Sequence, residues 1–233
     1  TTVTLLIKRK NVEKPITFNI VRDEVEVKVV TTKPPIETKI PNNIQYIRLN
    51  SFLSKNAGSE IGEIILKTRD KDGYILDLRS NPGGLLSNAV LIADMLMRDS
   101  VIVSTVDREG YKETARAGRE LLTQKPVVVL VNKGSASASE ILSGALKENE
   151  RATIIGTQTF GKGIVQEINK LPEGSAVHIT IQHYLTPNGN DIHKKGITPD
   201  VVVEIKDEDV TNKNDVQLKK GIEVLEQKIS KSK

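Results

Sequence analysis

Two short segments of this chain carry residues whose types and spacing suit nucleophilic catalysis. Asn132-Lys-Gly-Ser-Ala-Ser-Ala-Ser-Glu140 follows the apolar run Val127–Val131, and Thr159-Phe-Gly-Lys-Gly-Ile-Val-Gln166 lies downstream, so that Ser137, Lys162 and Gln166 fall in two glycine-marked junctions. A serine and a lysine so placed can serve as nucleophile and base without any histidine. The hydroxyl must lose its proton as it attacks a carbonyl, and a lysine takes that proton only as the neutral amine. A free lysine titrates near ~10.4, and bringing one close to neutrality costs about 4 kcal/mol, a change that burial among apolar groups can produce. Gly161 and Gly163 let the backbone approach closely, Phe160, Ile164 and Val165 offer apolar walls, and Gln166 can accept a hydrogen bond from the amine without adding charge. A carboxylate at that position would strengthen the lysine's hold on its proton and spoil the base.

Simpler readings exist for each residue. Ser137-Ala-Ser-Glu140 fits a capping box, in which a serine opens a helix and a glutamate three residues on reaches back. The two roles are compatible, because a nucleophile at a helix N-terminus gains from the dipole and the Ala138 amide can serve an oxyanion. Lys162 by itself reads as a solvated loop charge. Gly156-Thr-Gln-Thr-Phe-Gly-Lys-Gly163 nearly spells a phosphate-binding loop, yet Gly163 stands where Ser or Thr must hold magnesium. The β-branched residues that follow predict a strand, whereas such a loop must open a helix.

Asp77-Leu-Arg-Ser-Asn-Pro-Gly-Gly84 closes a strand and precedes a helical pattern with Leu85, Leu86, Ala89, Ile92, Ala93 and Leu96 on one face. Pro82-Gly83 suits a type II turn. A strand, a glycine turn and a helix also leave free amides at a sheet's carboxyl edge, where anionic species bind. A histidine-based site is the chemical competitor. His178 and His183, five residues apart in a strand pattern, face opposite sides, so at most one reaches a shared site, and all three histidines read as strand and loop residues without a chemical role. With no cysteine and no cluster at ligand spacing, neither a metal site, a thiol nucleophile nor any cofactor is expected.

The segments Asn132–Glu140, Thr159–Gln166 and Asp77–Gly84, with Tyr184-Leu-Thr-Pro-Asn-Gly-Asn-Asp-Ile192 and Gly196-Ile-Thr-Pro-Asp200, together resemble the carboxy-terminal processing proteases, also called tail-specific or S41 peptidases. The match runs from about residue 40 to 205. The resemblance implies that Ser137 is the nucleophile, Lys162 the base and Gln166 its positioning partner. It also implies that an amide of Gly83 or Gly84 joins that of Ala138 as the oxyanion hole, a choice the sequence leaves open. It further implies an α/β fold, a crotonase/ClpP-like spiral core with mostly parallel sheet and flanking helices. The expected activity is that of a serine endopeptidase acting on protein substrates at or near exposed C-terminal tails, in an extracytoplasmic compartment (bacterial envelope, periplasm or secreted), with a homodimer as the expected assembly. The alternatives are a non-catalytic peptide-binding scaffold of the same fold and a crotonase-type acyl-thioester enzyme. The protease reading predicts activity that rises with pH as Lys162 loses its proton.

Strand patterns at 44–49, 73–78, 101–106, 126–131 and 152–155 alternate with helical ones at about 54–69, 85–97 and 138–149, then give way to a β-rich finish. That alternation argues for a mostly parallel sheet packed by helices. At the amino end, Val3–Ile7 and Ile16–Val21 predict two strands around a Lys10–Lys14 turn, and a further strand is expected at Val25–Val30. The first two look like the last strands of a PDZ module, which precedes the catalytic core in this family, and two strands alone make only a marginal hairpin. The organisation expected is therefore a β remnant and linking strand over 1–30, a protease core over 31–205, and a C-terminal amphipathic helix and tail over 206–233. That helix carries apolar residues at 218, 222, 225 and 229 and suits docking or dimer contacts. The 233 residues, 37% apolar and 27% charged, are ordinary for a globular protein. A net charge of +4 with only 3% aromatic residues gives no stacking platform for nucleic acid, and no stretch is apolar enough to span a membrane.

Overall fold

Val127–Val131 is apolar at every position and buried at every position, as a strand covered on both faces must be. It is β8 of a six-stranded sheet ordered β12-β9-β8-β5-β4-β3, seen in a computed structural model that describes residues 1–23 and 28–232. Its neighbours are β5 (Gly73–Asp77) and β9 (Ala152–Gly156), with β4 (Ile44–Leu49), β3 (Val30–Thr31) and β12 (Val201–Val202) outside them. All pairings are parallel except β3 with β4. Three helices follow from strand ends: α1 (Ala57–Lys67), α2 (Leu86–Leu96) and α3 (Ala138–Glu148). They cover one face through a core that includes Ile61, Ile92, Leu142 and Leu146. On the other face, α5 (Val216–Lys231) lays Leu218, Leu225 and Ile229 against Tyr46, Ile75, Val128 and Leu130. The apolar positions expected for a docking helix are thus used within the chain.

A second sheet, antiparallel and ordered β10-β11-β6-β7, comprises β6 (Val101–Asp107), β7 (Lys112–Arg116), β10 (Ile164–Lys170) and β11 (Ala176–Leu185). The pairing of β10 with β11 shifts register between Val165 and Gln166, a bulge beside the one candidate catalytic side chain on β10, Gln166. At the amino end, β1 (Thr2–Ile7) and β2 (Ile16–Val21) form an antiparallel hairpin that leaves Leu6 and Val21 exposed. Half of the strand expected at Val25–Val30, residues 25–27, lies outside the described residues; Lys28 and Val29 are not in a strand, and Val30 opens β3. Two elements appear without sequence forewarning, β7 and the short helix α4 (Asp207–Thr211). No helix among the described residues is long and apolar enough to cross a membrane.

Where β5 ends against the start of α5 lies a buried charge network. Arg79 donates to both oxygens of Asp215, at 2.7 and 2.8 Å, and to Asp77 at 2.7–3.1 Å, while Arg48 and Tyr46 also donate to Asp77. Burial alone would raise the Asp77 carboxyl, but the hydrogen bond and charge of Arg79, with Arg48 behind them, hold it below the usual carboxylate range. Burial would likewise lower the Arg79 guanidinium, and its bonds to Asp215 and Asp77 more than reverse that. Asp215 also caps α5 by accepting from the Leu218 amide at 3.0 Å. The last helix is therefore locked, through one arginine, to the segment that leads into Gly83.

Candidate functional site

Parallel strands deliver their loops to one edge, and here the loops after β5, β8 and β9 meet at the carboxyl ends of their strands. The β8 loop turns sharply into α3 at Ser137, whose backbone sits at φ 55° and ψ −116°. A non-glycine residue in so sparse a region costs about 1–3 kcal/mol, and such strain gathers at sites where a side chain must be presented rather than packed. The expected capping box is half formed. Glu140 accepts from the Ser137 amide at 2.9 Å, whereas the Glu140 amide goes to the Ser137 carbonyl at 2.8 Å rather than to the hydroxyl.

Glu140 does much more than cap. Fully buried, its carboxylate also accepts from the Thr159 hydroxyl at 2.5 Å, the Gly161 amide at 2.7 Å and the Lys162 amide at 2.8 Å. One side chain thus fastens the serine turn to the lysine loop. A second strap runs from the Phe160 amide to the Ser135 carbonyl at 3.0 Å. The glycines flanking Lys162 are where close approach was expected. A Cβ on Gly161, at φ +90°, would lie 3.0 Å from the Lys195 amide nitrogen, and one on Gly163 2.5 Å from that of His193.

Ser137 and Lys162 line one cavity of about 520 Å³ together with Gly83, Gly84, Ile164, Val165 and Gln166. Pro82 of the glycine turn and Leu53, Leu85, Ile168, His178 and Tyr184 complete it, the last five not pointed to by the sequence as lining a site. Its walls hold no carboxylate, and among the described residues the Lys162 side-chain nitrogen has neither an ion-pair nor a hydrogen-bond partner. Gln166 is exposed and makes no hydrogen bond to Lys162 among the described residues. Phe160, expected as an apolar wall, points outward at 67% exposure and does not line the cavity, because its amide is pulled down onto Ser135 while the chain turns at Gly161. Of the histidines, His178 reaches this cavity, while His183 lies 3.7 Å from Asp191 and edge-on to His193. Among the described residues no group of three or more His, Asp or Glu could hold a metal ion.

The glycine turn after β5 abuts the serine. A Cβ on Gly83, at φ +97°, would stand 2.8 Å from the Ser137 Cβ and 3.0 Å from the Ala138 nitrogen. The Gly83 amide donates to the Asn81 side chain at 2.9 Å, whereas the amides of Gly84 and Ala138 have no acceptor among the described residues.

Fold and cavity together define a mixed α/β core, mostly parallel, that presents a strained serine turn at its sheet's carboxyl edge. The chain belongs to peptidase family S41, whose family model matches residues 43–203. It is 42% identical over 230 residues to the carboxyl-terminal-processing protease of a Synechocystis strain, covering 97% of this chain and 53% of that protein. It is 44% identical over 213 residues to the carboxy-terminal-processing protease of Bartonella bacilliformis, covering 88% and 47%. The chain spans about half the length of the curated relatives it matches. Among solved structures, it superposes on a photosystem II D1 C-terminal processing protease with a TM-score of 0.71 at 32% identity, covering 88% of this chain and 56% of that one.

Proposed function

We propose that the chain is the catalytic core of a serine endopeptidase that cleaves protein substrates at or near their C-terminal tails, with Ser137 as nucleophile and Lys162 as base. The observation that carries this reading is the shared cavity, in which a strained serine and a lysine without an acidic partner stand beside free backbone amides. In the first step the Ser137 oxygen adds to the scissile carbonyl while the Lys162 amine takes its proton. The Ala138 amide, with one from the Gly83-Gly84 turn, receives the oxyanion. Collapse breaks the C–N bond as the lysine returns the proton to the leaving amine. Water, deprotonated in the same way, then releases the acyl group from Ser137. Gln166, which lines the same cavity, orients the amine in this reading once substrate covers it. Leu53, Leu85, Ile164 and Ile168 supply apolar surface suited to apolar side chains of an extended tail.

Residues 1–30 are read as the β remnant of a PDZ module followed by a linking strand, the remnant being supported by the β1–β2 hairpin and its exposed apolar residues. Family resemblance adds an extracytoplasmic location and a homodimer, the latter open to test by light scattering. The deciding experiment incubates the chain with an unfolded protein bearing an apolar tail, beside Ser137→Ala and Lys162→Ala, and follows products by intact mass. Cleavage by the unmodified chain alone supports the dyad. Equal cleavage by either variant would refute it.

A further inference from the structure

Asn81 is fully buried and bonded on four sides. Its side-chain amide donates to the Leu49 carbonyl at the end of β4 (2.8 Å), and its side-chain oxygen accepts from the Gly83 amide (2.9 Å). Its main-chain carbonyl accepts from the Ala136 amide (3.0 Å) and from the Ser139 hydroxyl (2.9 Å). One residue therefore touches the sheet, the glycine turn, the approach to Ser137 and the first turn of α3. We infer that Asn81 is the positioning residue that aligns the glycine turn with the nucleophile, and that it does so by claiming the Gly83 amide and leaving that of Gly84 free.

The need for such a residue follows from the turn itself. Gly83 and Gly84 stand at φ +97° and +143°, and two consecutive glycines have the greatest backbone freedom to lose. One side of the turn is held by β-type bonds, from the Phe52 amide to the Gly83 carbonyl (2.9 Å) and from the Leu85 amide to the Phe52 carbonyl (3.1 Å). The peptide plane between Pro82 and Gly83 is held from the other side by the Asn81 oxygen, two residues back, in the geometry by which Asn and Ser fix turns. With that plane fixed, the amides at the turn and the serine left without an acceptor among the described residues are those of Gly84 and Ala138, a pair of the kind that forms an oxyanion hole. Asn81 does not touch the reacting atoms.

This assignment rests on the peptidase reading above. The test compares wild type, Asn81→Ala and Asn81→Ser on one peptide substrate, measuring kcat, KM and Tm. Serine keeps an acceptor for the Gly83 amide but, like alanine, loses the bond to Leu49. Both variants should therefore lose similar stability, while only alanine should lose catalysis: about 10²-fold in kcat, the cost of disabling one oxyanion donor, with KM within about threefold. Serine should recover all but about fivefold of that loss. Equal kcat in Asn81→Ala and wild type, a gain in Asn81→Ala, or serine as impaired as alanine would overturn the proposal. Should the alanine variant not fold, Asn81→Ser alone decides: near-wild-type kcat despite a lowered Tm supports it, and a 10²-fold loss in a folded protein overturns it. Cleavage by Ser137→Ala at the wild-type rate would instead sink the peptidase reading, and this assignment with it.

Discussion

Replacing Glu140 by glutamine takes one acceptor oxygen from a buried group that receives four hydrogen bonds. If the new amide nitrogen lies where Oε2 was, it faces the Ser137 and Lys162 amides, two donors that cannot turn away. If it lies where Oε1 was, it faces the Gly161 amide and the Thr159 hydroxyl. The hydroxyl can rotate to accept, although its oxygen already takes the Ile197 amide at 2.7 Å, so this second orientation orphans one donor rather than two. An orphaned buried amide costs about 1–3 kcal/mol, and the surviving bonds lose their charge assistance. The expected loss is about 2–4 kcal/mol, or roughly 5–15 °C in Tm for a chain of this size. Because the same bonds set the backbone positions of Ser137 and Lys162, kcat should fall about 10²-fold, the usual consequence of an ångström's misplacement. Thermal melts followed by circular dichroism, with peptide cleavage at a temperature where both proteins are folded, measure the two effects. A variant with Tm within about 2 °C and kcat within about threefold of wild type would refute the idea that this carboxylate ties serine to lysine.

Gly83→Ala would drive a methyl to 2.7 Å from the Ala136 carbonyl and 2.8 Å from the Ser137 Cβ, at a φ that alanine avoids; activity should drop by about 10²-fold or more while circular dichroism stays native. Arg79→Met leaves Asp215 buried without its cation and Asp77 with Arg48 alone, so urea titration should show a loss of about 3–5 kcal/mol. Asp77, held below its ordinary range, contributes stability that is present above the unfolded carboxyl's pKa and is lost as pH falls through the folded value. Asp77→Asn should therefore be less stable than wild type at pH 7, with the gap closing below about pH 4 in melts across pH.

The apolar strands and the serine turn were legible because each is written locally. Five buried β-branched or leucine residues in a row, as in β8, fit little else, and glycine and serine followed by a helical pattern mark the turn. What escaped was written across distance. Glu140 looks like an ordinary N3 glutamate until the fold brings Thr159, Gly161 and Lys162 against it. Asn81 looks like a turn residue until Leu49 and Ala136 arrive. Strand β7, Lys-Glu-Thr-Ala-Arg, is an exposed sheet edge with no apolar alternation to betray it. Phe160 failed in the other direction, since its type suggested a wall and its backbone bond to Ser135 turned it to solvent.

The bond between Arg79 and Asp215 joins residues 136 positions apart. A ribosome makes the glycine turn long before it makes the helix that completes the charge balance beneath it. While Asp215 is unmade, Arg79 has only one of its two buried carboxylates, and the segment leading to Gly83 lacks its floor. A nascent chain thus carries every residue of the cavity well before it carries the support those residues stand on. The floor beneath the glycine turn is therefore completed only once residues 215–231 have been made and packed.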